Sequence, residues 1–257
     1  MKEQATRRPP IISIVVPVRN EASILEKKYN ELCNFLRERF SEFEVIMVEN
    51  GSTDKTPQIL EDLSANQSEL RTVNLSQPEI ASAIIAGVER ARSDKVIWLG
   101  IDFSNIDFIW DAFLAMDESD MALITKRLGL DRRRLLRKTM NRVFNMLVFL
   151  FFPFLDYKDV EGYHGFRRTA YASVRSAKSR GHLFNVEILL LAHRNRLKVN
   201  QVPMIVDEIR PSKYARSLVG ILRVVLLSIS GLVLLRWKYS AELKVRAPQW
   251  TRSKPDH

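Results

Sequence analysis

The chain has very little cysteine and no segment typical of secretion. One of its 257 residues is a cysteine, which excludes an intrachain disulfide and a zinc site built from cysteines. That residue, Cys33, falls in an apolar helical pattern and is predicted to be a small buried side chain. The opening sequence MKEQATRRPP has no apolar stretch of the kind that a secretory signal needs. We therefore expect the body of the protein to lie in the cytosol.

Acidic residues are also in the minority. The 40 lysines and arginines outnumber the 30 aspartates and glutamates, which gives a formal net charge of +10. Such a balance favours anionic partners: nucleotides, lipid phosphates, phospholipid headgroups or nucleic acid. We expect no nucleic-acid partner, because the basic residues flank Phe-rich apolar segments and no nucleic-acid motif is present. Hydrophobic residues make up 46% of the chain, which excludes a disordered polypeptide.

Over the first half of the chain, apolar runs of strand length alternate with segments of helical periodicity. Strands are predicted at 11–18, 44–48, 70–75, 95–100 and 121–125, and helices at 24–39, 56–63, 80–91 and 107–116. This alternation with short loops predicts an α/β fold with a mostly parallel sheet. Ligands of such sheets bind beyond the carboxyl ends of the strands. Polar clusters follow three predicted strands, at Pro17–Glu21, Glu49–Asp54 and Gly100–Ser104, and are expected to converge on one crevice.

Two later segments have patterns typical of membrane-surface helices. Residues 132–155 place basic and amide side chains at three- and four-residue steps, with apolar side chains largely on the opposite face. The alternative is a helix that packs on the core with a solvated basic face. Residues 218–235 are apolar except for Arg223 and are shorter than the roughly 20 residues that cross a bilayer. They predict an interfacial helix or shallow hairpin, with a marginal transmembrane span or a buried helix as alternatives.

The strand ends carry a resemblance to a known family. SIVVPVRNEASI, VIMVENGSTDKT and VIWLGIDFS resemble, in order and spacing, motifs of the inverting nucleotide-sugar glycosyltransferases of family 2. Further segments are similar to the dolichyl-phosphate mannose synthase branch: DYKDVEGYHGFRRTAY, GHLFNVEILLLAHRNRLKVNQVPM and RPSK. The resemblance implies a GT-A-type domain at 11–211 and a membrane-associated helix at 212–240, between tails at 1–10 and 241–257.

The resemblance also implies a site for a nucleotide sugar and a divalent cation, Mg²⁺ or Mn²⁺. Asp102 matches the last aspartate of the metal motif and is expected to hold the cation with help from Ser104. The residues implied to bind the nucleotide sugar are Pro17, Val18, Arg19, Asn20, Glu21, Glu49, Asn50 and Gly51. Those implied to bind donor or acceptor phosphate are Lys126, Arg167, Arg210 and Lys213. Asp159 and Glu187 are implied, with Asp102, as catalytic carboxylates.

Three positions depart from the family pattern. Glu49-Asn50 stands where two aspartates are usual, Gly100 replaces the first aspartate of the metal motif, and Glu79-Ile80-Ala81 replaces a Gly-x-Gly turn. Each substitution removes a charge, lengthens a side chain or restricts the backbone. Together they indicate an unusual donor, a weak need for metal, or a catalytically silent relative.

The acceptor decides whether a general base is needed. A lipid phosphate needs none, because its oxygen is already ionised, and the positive charge and the basic helix favour that acceptor. We therefore predict a glycosyltransferase on the cytoplasmic side of a membrane that moves a sugar to a polyprenyl or dolichyl phosphate with inversion. One alternative is transfer to a saccharide or glycolipid hydroxyl, with Glu187 or Asp159 as base. The other is a silent membrane-binding homologue.

Overall fold

Seven strands form one sheet in the computed structural model of the protein, which describes residues 11–103, 105–131, 135–206 and 218–240. The strands are β1 (Ile12–Val18), β2 (Phe43–Asn50), β3 (Leu70–Leu75), β4 (Lys95–Trp98), β5 (Met121–Asp131), β6 (Tyr163–Arg167) and β7 (Val199–Val206). Their order across the sheet is β3-β2-β1-β4-β6-β5-β7. All are parallel except β6, which runs antiparallel to β4 and β5. The mostly parallel sheet predicted from the sequence is confirmed.

Helices cover both faces of the sheet. They are α1 (Leu25–Arg39), α2 (Thr56–Asn66), α3 (Ile80–Arg90), α4 (Phe108–Ala115), α5 (Leu135–Phe151), α6 (Arg168–Val174), α7 (Leu183–Arg194) and α8 (Leu218–Lys238). One core cluster packs helices α1, α2 and α4 against one face of the sheet. A second cluster packs α3, α5, α6, α7 and α8 against the opposite face. Because it is covered on both faces, β1 is buried along its whole length, as its continuous apolar sequence predicts.

The elements as far as β5 begin within one residue of their predicted positions. Their ends vary more, since β4 stops at Trp98 and β5 continues to Asp131. The predicted tails at 1–10 and 241–257 lie outside the described residues.

Helix α8 packs on α5 and α7, and its side chains Leu232 and Leu235 are buried, as is Tyr239 just after its end. Gly231 allows the close approach, because a Cβ at this position would overlap the side chain of Leu183. The segment is one helix, so the shallow hairpin considered from the sequence is not formed. No helix within the described ranges is both long and apolar enough to span a bilayer.

A buried carboxylate ties the sheet together at the amino ends of β1 and β2. Glu44 accepts hydrogen bonds from Ser13 Oγ at 2.6 Å, from Arg92 N at 2.6 Å and from Arg92 Nε at 2.9 Å. Arg71 Nη1 lies 3.2 Å away from the same side chain. Burial alone would raise the pKa of Glu44, but these hydrogen bonds outweigh burial and hold the pKa below its usual value.

Candidate active site

The loops that follow β1 and β2 are tied to each other at the carboxyl edge of the sheet. Asn20 has a left-handed φ of 56°, and its Oδ1 accepts a hydrogen bond from Thr53 N at 2.7 Å. Glu21 N donates to Thr56 Oγ1 at 2.8 Å, and Ala22 N donates to an Asp54 carboxylate oxygen at 3.2 Å. The two loops therefore form one continuous wall (residues 17–22 and 49–56), which we term the nucleotide wall after the ligand predicted for it from the sequence.

Glu49 and Asn50 shape this wall from within. The Glu49 carboxylate accepts hydrogen bonds from the N–H groups of Gly51, at 3.2 Å, and Ser52, at 2.6 Å. Gly51 permits the turn because its φ of 69° is left-handed. Asn50 Oδ1 accepts from Glu79 N at 2.9 Å, immediately before α3. Both side chains are buried. The Glu49 carboxylate, which was predicted to contact a nucleoside, instead binds N–H groups of its own turn.

Only part of the predicted β1 segment faces solvent. Pro17 and Val18 are buried within the sheet, whereas Arg19 and Asn20 are exposed. Asn20 is already engaged with Thr53, which leaves the Arg19 guanidinium as the charged group that this strand end presents to a ligand.

Asp102 lies exposed just beyond the end of β4, the strand next to β1. Its carboxylate folds back over Gly100, since a Cβ at Gly100 would lie 2.9 Å from Asp102 Oδ1. The same Cβ would lie 3.1 Å from the hydroxyl of Tyr163, at the start of β6. Tyr163 packs edge-on against Trp98, with ring centroids 5.2 Å apart. Tyr163 was not among the predicted site residues, although it lies within the segment DYKDVEGYHGFRRTAY that carries part of the family resemblance.

The donor set at this edge fits a cation that is held mainly by a phosphate. Asp102 offers one carboxylate, and Ser104 lies outside the described residues. Among the residues that the structure describes, no three His, Cys, Asp or Glu side chains are grouped to hold a metal. Mg²⁺ in nucleotide enzymes is commonly bound by one or two carboxylates together with substrate phosphates. Asp102 therefore suits one ligand position beside a diphosphate.

Lys126 and Asp159 form a buried ion pair near this edge, with Lys126 Nζ 2.9 Å from Asp159 Oδ2. Asp159 Oδ1 accepts hydrogen bonds from Asn141 Nδ2 and Asn145 Nδ2, each at 3.2 Å, and from Glu161 N at 3.1 Å. Burial would raise the pKa of Asp159, but Lys126 and the hydrogen-bond donors hold it below its usual value. Neither charge of the pair is free for a substrate in this arrangement.

This cluster also corrects the predicted orientation of α5. Asn141 and Asn145 fall on the face predicted to be polar and solvated, yet both donate inward to Asp159. The outward side instead carries Met146, Phe149 and Leu150, which are exposed. The amphipathic helix predicted at 132–155 is present as α5, but its most exposed turn is apolar.

Glu187 occupies the interior of the α7–α8 contact, with 0% of its surface exposed. Its Oε2 accepts hydrogen bonds from the backbone N–H groups of Lys178 and Ser179, both at 2.6 Å. Its Oε1 accepts hydrogen bonds from Lys238 Nζ, at 2.5 Å, and from the Tyr239 hydroxyl, at 2.9 Å. Burial would raise the pKa of Glu187, but these donors outweigh it and lower the pKa. Four donors and full burial leave it unsuited to the general-base role considered from the sequence.

Arg167 lies away from the site, which corrects the phosphate-binding role predicted for it. It ends β6, and because β6 is antiparallel, its end pairs with Lys95 at the start of β4. Its Nε donates to Met116 O at 2.6 Å, and an Nη lies 3.4 Å from Asp94. Arg210 and Lys213, the other two predicted phosphate ligands besides Lys126, lie outside the described residues.

A cleft of about 440 Å³ opens beside the nucleotide wall. One side is the start of α3 and the turn before it, with Glu79 and Ser82. The other side is the segment before α7, with Ala177, Lys178 and Arg180. The Glu79-Ile80-Ala81 turn was recognised from the sequence only as a departure from the family pattern, and the segment before α7 carries none of the motifs that predicted the site.

The comparison with known families decides the class of this site. Residues 13–172 match the family described as Glycosyl transferase family 2. The chain belongs to glycosyltransferase family 2. The predicted transferase class is thereby confirmed.

Two curated relatives act on lipid phosphates, according to their names. Dolichyl-phosphate beta-glucosyltransferase of Saccharomyces cerevisiae is 26% identical over 231 residues, which cover 79% of this chain and 69% of the yeast protein. Undecaprenyl-phosphate 4-deoxy-4-formamido-L-arabinose transferase of Pseudomonas fluorescens is 36% identical over 96 residues. That match covers 37% of this chain and 28% of the bacterial protein. The chain thus aligns with about two thirds of the yeast relative and under a third of the bacterial one.

A solved structure has the same fold. Glucosyl-3-phosphoglycerate synthase of Mycobacterium tuberculosis, in complex with Mn²⁺, UDP and glucosyl-3-phosphoglycerate, superimposes with a TM-score of 0.62 at 19% identity. The superposition covers 88% of this chain and 80% of that protein. At this identity the likeness concerns the fold alone, and it confirms the predicted GT-A-type sheet.

Proposed function

We propose that the protein is a peripheral membrane glycosyltransferase. It transfers a sugar from a nucleotide-sugar donor to a polyprenyl or dolichyl phosphate, with inversion, at the cytoplasmic surface of a membrane. The names of the yeast and Pseudomonas relatives support this acceptor class, and the contents of the solved complex support a nucleoside diphosphate and a divalent cation.

The observation that carries the proposal is that both candidate general bases are engaged in ion pairs. Asp159 is held by Lys126, and Glu187 is held by Lys238. A hydroxyl acceptor needs a base within hydrogen-bond reach of its proton. A phosphate acceptor is already ionised at neutral pH and attacks without one. The engagement of both carboxylates therefore favours a lipid phosphate over a saccharide or glycolipid hydroxyl.

In the proposed reaction, an acceptor phosphate oxygen forms a bond to the anomeric carbon as the bond from that carbon to the donor diphosphate breaks. The leaving nucleoside diphosphate gains negative charge, which a divalent cation, when bound, would neutralise. Asp102 would hold that cation together with the diphosphate. Arg19 presents a second positive charge at the neighbouring strand end. Arg210 and Lys213 are proposed, on the family resemblance, to meet the acceptor phosphate.

The exposed apolar side chains of α5 and α8 suit a membrane surface. They include Leu136, Met146, Phe149, Leu150, Leu226, Leu227, Val233, Leu234 and Trp237, which we term the α5–α8 face. Exposed arginines lie on the same two helices, at positions 142, 223 and 236. Apolar side chains bordered by cations are typical of helices that lie in an anionic lipid interface. We propose that this face brings the protein to the layer that contains the lipid acceptor.

A thermal-shift panel tests the donor half of the proposal. The full chain would be heated with UDP, GDP and their glucose and mannose derivatives, each with Mg²⁺, with Mn²⁺ and with chelator. A ligand that binds only the folded state stabilises it by about 2.7 kcal/mol at a hundredfold excess over its dissociation constant. We expect one nucleoside to raise the melting temperature, and more so with metal. No shift with any of them would overturn the proposal in favour of a silent homologue.

A further inference from the structure

Glu187 connects the end of α8 to the segment that precedes α7. Through Oε2 it holds the backbone of Lys178 and Ser179, and through Oε1 it holds Lys238 and Tyr239 at the end of α8. A buried carboxylate with its hydrogen bonds satisfied is a rigid connection, because each donor it loses leaves charge unpaired in a low dielectric. Movement at the end of α8 is thus transmitted to residues 178 and 179.

Those two residues belong to one wall of the cleft beside the nucleotide wall. Lys178 and Arg180 line that side, and both are exposed. The opposite side is fixed to the nucleotide wall, because Asn50 Oδ1 accepts the N–H of Glu79. Gly51 approaches the same turn so closely that an added Cβ would lie 3.3 Å from Pro78 N. One wall is therefore anchored to the donor site and the other to α8.

We propose that Glu187 is a positioning residue for the donor. By tying the segment 177–180 to the end of α8, it sets the cations Lys178 and Arg180 at the distance from the nucleotide wall that a phosphate-bearing donor requires. This inference rests on the proposed function, since it takes a nucleotide sugar as the ligand of the cleft. It gives α8 a role beyond contact with lipid: its seating on α7 controls the affinity for the donor.

The test removes the two donors to Oε1 and leaves Glu187 in place. The double variant Lys238→Met/Tyr239→Phe would be compared with Lys198→Met, which removes one exposed charge from the residue just before β7. Lys238→Arg keeps a cationic donor and serves as the rescue variant. Initial rates would be measured with UDP-glucose and dolichyl phosphate in detergent micelles.

We expect the KM for UDP-glucose to rise about tenfold in the double variant, the equivalent of one hydrogen bond to a charged group, with kcat unchanged. Lys198→Met and Lys238→Arg should match the wild type. A merely structural role would lower the fraction of folded enzyme, so kcat would fall while the KM stayed the same. That result, or a double variant that matches the wild type in both constants, would overturn the proposal.

Amide hydrogen exchange separates this inference from the proposed function. If the wild type turns over neither UDP-glucose nor any other nucleotide sugar of the thermal-shift panel, the proposed function has failed, and exchange at the N–H groups of Lys178 and Ser179 decides about Glu187. Faster exchange at both amides in the double variant, but not in Lys198→Met, supports the positioning role. Equal exchange in all three proteins overturns it.

Discussion

The ammonium nitrogen of Lys126, in the middle of β5, lies 2.9 Å from Oδ2 of Asp159, and both side chains are largely buried. Asparagines on α5 bind the other carboxylate oxygen, so Asp159 connects its own loop to β5 and to α5. A buried carboxylate that is paired with a cation and hydrogen-bonded in this way stabilises the fold. It is not available to remove a proton.

Replacing Asp159 therefore tests a structural role against a catalytic one. Asp159→Asn leaves Lys126 as an unpaired buried charge, and we expect a loss of about 3 kcal/mol in the free energy of unfolding. Urea denaturation measures this loss, and Asp111→Asn on the exposed side of α4 is the control. If Asp159 were instead a general base, kcat would collapse while the denaturation midpoint stayed at the wild-type value.

Asp102→Ala should abolish transfer and leave the fold intact. The side chain is exposed, so its removal costs little stability, whereas loss of a cation ligand removes several kcal/mol of stabilisation from the transition state. We expect kcat/KM to fall by at least about a hundredfold. Asp111→Ala, an equally exposed acid in the following helix, should retain full activity. Wild-type turnover by Asp102→Ala would show that Asp102 is not part of the active site.

Much of the fold follows from local sequence. Continuous β-branched runs predict β1 and β2 because strands covered on both faces have no polar side to show. The direction of β6 could not be predicted from the sequence, because a five-residue strand has the same apolar pattern in either direction. That direction alone moves Arg167 to the far edge of the sheet. Sequence periodicity predicts which residues form a strand but carries no information about which way it runs.

The site was predicted less completely than the fold. The strand-end clusters were identified, but the partners of Glu49 and Asn50 were not, because both side chains bond to backbone N–H groups of turns that no periodicity marks. The partner of Glu187 lies 51 residues further along the chain. Asn141 and Asn145 look like solvated positions on a helical projection, and only the fold brings Asp159 to them.

The Glu44 network predicts how stability changes with pH. Because the folded-state pKa of Glu44 is lowered, its contribution is fully present above the usual glutamate pKa and is lost as the pH falls through the folded-state value. Glu44→Gln should therefore destabilise the protein by about 3 kcal/mol near neutral pH. The difference from the wild type should shrink at about pH 3, where the unfolded carboxyl is mostly protonated. Chemical denaturation at both pH values would measure it, and an equal difference at both would contradict this account.

Membrane binding should depend on the α5–α8 face. Leu150 is 73% exposed and Leu234 is 64% exposed, so replacing both by serine removes apolar area without disturbing the core. We expect the affinity for vesicles of phosphatidylcholine and phosphatidylglycerol to fall by about 2 kcal/mol, or roughly thirtyfold. Leu114→Ser, at an exposed leucine on α4, is the matched control. Equal loss of vesicle binding in both proteins would show that the effect is not specific to this face.

The most direct test of the central claim is a comparison of acceptors that differ only in the phosphate. The full chain would be incubated with the nucleotide sugar chosen by the thermal-shift panel, with Mn²⁺, and with vesicles that contain either dolichyl phosphate or dolichol. We predict that radiolabelled sugar is transferred to dolichyl phosphate with an inverted anomeric centre, and that dolichol receives none. Transfer to dolichol, to an oligosaccharide hydroxyl, or to no acceptor at all would contradict the assignment of a lipid phosphate as the substrate.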